Sequence, residues 1–177
     1  MPNINRMGTV YVPTGNPDTV DVVSLYAEGE LGVAYDWVDR AYQIVKFDSG
    51  ANTILASAAN QLLYWKDRAR YIVTTDSAQA QGGVGGTNQF RNEVAGILRC
   101  AAHSGYYIHM LIRGRNIPVL SSGGAFVVGD WVVPHTTAAQ VIAVTAGTAP
   151  GVKPVGTCHT ATAASPVVTD VDLTNIP

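Results

Sequence analysis

Leu-Leu-Tyr-Trp at 62–65, a charged turn at Lys66-Asp67-Arg68-Ala69 and Tyr-Ile-Val-Thr at 71–74 decide how this chain is read. β-Branched and aromatic residues crowd both arms and polar residues separate them, which predicts a β-hairpin. Working outward, a loop holding Gly82, Gly83, Gly85 and Gly86 leads to Val-Ala-Gly-Ile at 94–97. A turn at His103-Ser104-Gly105 then precedes Tyr-Ile-His-Met-Leu-Ile at 107–112. The order recurs from Trp131: Trp-Val-Val-Pro (131–134), a polar turn, Val-Ile-Ala-Val (141–144) and a Gly/Pro loop. It closes with Val-Gly-Thr-Cys (155–158), a turn at Ala164-Ser165-Pro166 and Val-Val-Thr-Asp-Val-Asp-Leu (167–173). Identity between the copies is slight, so the repeat lies in the order of strands and turns. Two similar β-modules are expected, at about 61–120 and 121–177.

Upstream, Leu31-Gly32-Val33-Ala34-Tyr35 and Tyr42–Phe47 read as another hairpin around a turn at Asp36–Arg40, ended by Asp48-Ser49-Gly50. Residues 51–61 carry modest helical character. Before them, residues 1–19 hold Pro2, Pro13 and Pro17 with one short apolar run, Val10-Tyr11-Val12. Proline removes backbone donors and favours extended chain, so this segment reads as an N-terminal arm ahead of a body at 20–177. Short strands punctuated by turns make the chain all-β, with a compact β-barrel or β-sandwich body.

The composition narrows the function. Of 177 residues only 14% are charged, against about 25% in an ordinary soluble domain. Sparse charge lowers the desolvation cost of a large contact, which favours association with partners. A net charge of −2 argues against nucleic acid as a partner, because such binding needs a basic face. A mean hydropathy of +0.13 without a long apolar run argues against a membrane span. The N-terminus lacks the apolar core of a signal peptide, so synthesis in a cytoplasm is expected. Cys100 and Cys158 do not make a disulfide framework and read as small core residues.

Candidate chemistry is thin. Cys100-Ala-Ala-His103 with Cys158-His159 has zinc-ligand residue types, but adjacent strand residues point to opposite faces, so Cys158 and His159 make a poor pair. Asp170 and Asp172 share a strand face, where a solvated outer surface is the usual reason for two carboxylates. No Gly-x-Ser-x-Gly elbow is present, and Ser104, Ser121 and Ser122 sit in turns. The Gly82–Gly86 run lacks the Gly-Lys-Ser/Thr ending of a phosphate loop. Neither catalysis nor a cofactor nor a metal is expected, and a zinc- or carboxylate-dependent hydrolase is the weakest reading. The aromatics Tyr64, Trp65, Tyr71, Tyr106, Tyr107 and Trp131 fit a half-core, half-interface role better than a sugar-stacking platform.

Most of the chain from about Gly29 onward resembles a known family. Leu31-Gly32, Tyr42-Gln-Ile-Val-Lys46 and Gln61-Leu-Leu-Tyr-Trp-Lys-Asp67 are similar to the opening of head-decoration (capsid cement) proteins of tailed bacteriophages. So are Val94-Ala-Gly-Ile-Leu98, Tyr107–Gly114, Gly123-Gly-Ala-Phe-Val-Val-Gly-Asp-Trp-Val-Val133 and Val155-Gly-Thr157. The arm and the Gly82–Gly86 loop depart from that pattern. The resemblance implies a non-enzymatic structural protein on the outer surface of the virion, made in the host cytoplasm. It further implies a homotrimer that clamps neighbouring copies of the major capsid protein. On this reading the contact segments are Pro2–Thr19 and Gln79–Asn92, with Pro2, Asn3, Ile4, Val10, Tyr11, Val12, Pro13, Gly83, Val84 and Gly85 as contact residues. The alternative is a carbohydrate-binding β-domain of a phage tail or cell-surface protein.

Overall fold

The computed structural model describes residues 31–32, 34–37, 39–49, 59–81, 91–137, 139–162 and 168–174. The arm, residues 51–58 of the stretch with helical character and residues 82–90 of the glycine loop fall outside them, while 59–60 form a turn and Gln61 opens a strand. Ten strands follow one another: β1 (Ala34–Trp37), β2 (Arg40–Phe47), β3 (Gln61–Asp67), β4 (Ile72–Thr74) and β5 (Val94–Leu98). They continue as β6 (Tyr107–Leu120), β7 (Trp131–Pro134), β8 (Val141–Val144), β9 (Gly156–Cys158) and β10 (Val168–Leu173). The fold is all-β, with no α-helix among the described residues. The hairpin read at 62–74 forms as β3 and β4, which pair antiparallel through Tyr64↔Thr74 and Trp65↔Val73. The upstream hairpin forms as β1 and β2, paired up to Trp37↔Arg40, so its turn is tighter than the Asp36–Arg40 span suggested.

Strand pairing explains the repeat. In the first module β3 pairs with β4, β3 with β5 and β5 with β6, all antiparallel. In the second, β7 pairs with β8, β7 with β9 and β9 with β10, again antiparallel. The first set closes into a five-stranded barrel because β2 lies antiparallel to β6 and parallel to β4, through Lys46↔Ile72 and Phe47↔Val73. The second set repeats that closure with the far half of β6. Residues 114–120 lie antiparallel to β10, and Ser121 then makes a parallel bridge to Val141 of β8. Each unit is thus one closing strand plus four more, and the two units overlap in β6.

β6 runs through Arg113-Gly114-Arg115-Asn116. A bulge lies there, with register shifting between Val171↔Ile117 and Leu173↔Gly114. Asn116 takes a left-handed backbone (φ 52°), which asparagine tolerates, and its amide donates to Asp172 Oδ1 at 2.9 Å. The bulge re-aims the strand from one barrel to the next.

Burial follows the same plan. Alternate residues of the first barrel feed two apolar clusters. Val45, Phe47, Leu63, Trp65, Val73, Ala95, Ile108 and Met110 make one, drawn wholly from the first barrel and its connecting loops. Tyr42, Ile44, Leu62, Tyr64, Val94 and Leu111 join Phe126, Val132, Val141, Val155, Cys158, Val171 and Leu173 of the second unit in the other. Both faces of β3 are therefore covered, which is why Leu62 through Trp65 are buried without the alternation of a half-exposed strand. Burying each large side chain contributes roughly 1.5–3 kcal/mol, so this shared cluster fastens the two barrels together.

Candidate functional site

The expected contact residues Pro2, Asn3, Ile4, Val10, Tyr11, Val12, Pro13, Gly83, Val84 and Gly85 lie outside the described residues. What the structure gives is where the described part of the chain begins and where the glycine loop joins the body. The chain enters at Leu31-Gly32, where the Gly32 amide donates to the Ile44 carbonyl at 2.8 Å and Gln43 Nε2 donates to the Gly32 carbonyl at 3.0 Å. The Tyr71 ring lies over Gly32, so that a Cβ there would fall 2.2 Å from ring carbon. With φ at +82° as well, only glycine fits without strain.

The glycine loop starts and ends on β3. The Gln81 amide donates to the Trp65 carbonyl at 2.7 Å, and the Trp65 amide donates to the Glu93 carbonyl at 2.9 Å. At the loop's far end, Arg91 Nε donates to the Pro134 carbonyl at 2.7 Å, and Asn92 Oδ1 accepts from the Lys153 amide at 3.3 Å. The loop is thereby rooted at the seam of the two barrels, with one foot on β3 and the other reaching the second unit.

An exposed apolar feature was missed in the sequence. Val127 and Val128 are 60% and 62% exposed on the turn that follows Phe126, itself buried in the shared cluster. Asp130 braces the turn: its Oδ2 accepts from the Val127 amide at 3.1 Å, its Oδ1 from the Ala146 amide at 3.1 Å, and its own amide donates to the Val127 carbonyl. The signal was available in Gly123–Asp130, where Phe-Val-Val stands between glycines. Sequence alone did not say which of the three turns inward.

The aromatics are dispersed by role. Tyr64 is fully buried, and its Oη accepts from the Ala139 amide at 3.1 Å. Burial pushes that phenol up to about 12. Trp65 is 3% exposed, meets Tyr71 edge-on at 6.5 Å and lies under the Arg68 guanidinium at 5.6 Å. Tyr106 stacks obliquely on His103 at 5.3 Å, while Trp131 is half-buried on β7. Tyr64 and Trp65 are thus taken up by the core and are not available to stack on a sugar.

The residues weighed for chemistry are also separated. Cys158 points into the shared cluster and its Sγ donates to the Thr160 carbonyl, burial pushing the thiol up. His159 turns the other way, to Asp172 Oδ1 at 2.8 Å. Burial tends to raise the Asp172 carboxyl, but hydrogen bonds from His159 and the Asn116 amide outweigh it and hold the group below its usual value. Ser104 and Ser121 serve turns, accepting from the Ser49 and Gly123 amides. Among the described residues no three His, Cys, Asp or Glu side chains are placed to hold a metal ion, and no helix is long and apolar enough to cross a membrane. What the arrangement offers is a framed body with attachment points for two loop segments and a braced apolar turn. No protein-family model, curated protein or solved structure matches this chain.

Proposed function

We propose that this chain is a structural protein of a phage virion, a decoration protein that binds the outer face of the head and bridges neighbouring major capsid proteins as a homotrimer. The observation that carries the reading is the pair of barrels overlapping in β6 and sharing one apolar cluster. Closing both sheets removes most strand edges, so a protein displayed at high local concentration avoids edge-to-edge association. The double barrel also makes a stiff spacer, from which the arm and the seam-rooted loop extend as contact segments. The low charge and the family resemblance of the β-segments point the same way. Many symmetric copies turn modest single contacts into firm attachment.

The test is attachment to shells. Deleting residues 1–19 should weaken binding to undecorated capsids, by cosedimentation, by about tenfold or more while the circular dichroism spectrum is kept. Undiminished decoration by the truncated chain would sink the arm's role, and failure of the full chain to bind any shell would sink the capsid reading itself.

A further inference from the structure

The first barrel carries a cleft of about 620 Å³ lined by Leu31, Lys46, Ala69, Arg70, Tyr71, Ile72 and Tyr107. Its floor is a row across three adjacent strands. Lys46 on β2 stands directly opposite Ile72 on β4 and directly opposite Tyr107 on β6, so the three side chains share one face. One wall is Tyr71, held in a left-handed backbone (φ 55°) that a bulky residue adopts only when its surroundings impose it. Three contacts impose it: the ring fills the space over Gly32, its edge meets Trp65, and the Tyr71 carbonyl accepts from the Lys46 amide at 2.9 Å. The rim supplies charge. The Lys46 side chain makes no ion pair or hydrogen bond among the described residues. The Arg70 guanidinium is 79% exposed and only loosely tied to Asp67, at 3.6 Å.

We propose that this cleft is a peptide-binding site for an acidic segment of a partner protein, one that sets a Glu or Asp carboxylate beside an aromatic or aliphatic residue. Lys46 and Arg70 take the carboxylates, while Tyr71, Tyr107, Leu31 and Ile72 take the apolar side chain between them. The volume falls within the roughly 300–1,000 Å³ of ordinary ligand sites and holds a few residues. The two cations and two tyrosines would suit a nucleotide as well, but the aliphatic part of the lining, Leu31, Ala69 and Ile72, fits an apolar peptide side chain better than a base. The site stands apart from the capsid proposal, because its test contains no shell.

The experiment titrates acetyl-Glu-Leu-Tyr-Glu-amide, its Gln-Leu-Tyr-Gln counterpart and a thymidine dinucleotide into the isotope-labelled full chain, followed by amide shifts. Shifts should map to Lys46, Tyr71, Ile72 and Tyr107. The Glu peptide should bind about tenfold more tightly than the Gln peptide, about 1.4 kcal/mol, with the gap closing as salt is raised. The double variant K46Q/R70Q should lose that preference while keeping its melting temperature, and Y107A should weaken both peptides. Equal binding of the two peptides, shifts located elsewhere or tighter binding of the dinucleotide would each overturn the proposal. So would binding seen only after Glu28→Gln and Glu30→Gln, since the chain's own acidic residues would then be the competitor that the cleft serves.

Discussion

The two barrels use one pairing plan but close it with different strength. In the first, β2 meets β4 over Lys46↔Ile72 and Phe47↔Val73, reinforced by donation from the Lys46 and Asp48 amides to the Tyr71 and Val73 carbonyls. In the second, closure is the lone Ser121↔Val141 bridge, with the Ser122 amide donating to the Val141 carbonyl at 3.0 Å. Their cores differ likewise. β5 is buried at every position, whereas β8 is buried only at Val141. The first barrel has an apolar cluster of its own, but the second draws its apolar residues from the cluster it shares with the first. The second barrel therefore leans on the first, with β6 as the strand that transmits support.

The largest break should come on that strand. Leu111→Ala removes a fully buried side chain from the shared cluster and should cost about 2–5 kcal/mol, with both barrels losing amide protection together. Separate melting of the second barrel in this variant would contradict its dependence on the first.

Acid tests the first barrel next. His109 is buried on β6 beside Ile44 of β2, and burial lowers its pKa from 6.5 to about 4. The folded state thus prefers the neutral ring. Its contribution is complete above about pH 6.5 and is lost as the pH falls toward 4, where the unfolded chain takes up the proton first. The full loss is about 3 kcal/mol, read as a lower urea midpoint at pH 4 than at pH 7. An imidazole that titrates near 6.5 in the folded protein would refute this.

Tyr64→Phe sharpens the seam. It strands the Ala139 amide, which precedes β8 and donates to the Tyr64 hydroxyl, and should cost about 1–3 kcal/mol. Hydrogen exchange should accelerate around 139–144 before it does in β3. The smallest effect belongs to Asp172→Asn. Its pair with His159 is about one third exposed on both sides and is worth no more than about 1 kcal/mol, most of it recoverable in high salt.

Much of the sheet was legible in the residues. Trp131–Pro134 and Val141–Val144 form β7 and β8 at the positions their β-branched runs predict, and the order of strands and turns already showed the repeat. The candidate site was less so. The arm and glycine loop could be named from proline and glycine content, but the seating of the loop's two ends on Trp65 depends on hydrogen bonds between distant backbones. The Lys46–Ile72–Tyr107 row was invisible for the same reason. Its members are scattered along the chain, and only register places them side by side.

By itself the sequence determined the class, because strand content and turn position depend on local side-chain and backbone preferences. It also determined that the chain is poor in charge and built on a doubled module. Only the tertiary structure decided that the modules overlap. Whether Gly114 and Asn116 end a strand or bend it depends on what lies alongside, and here Asp172 of β10 accepts the Asn116 amide and carries β6 into the second barrel.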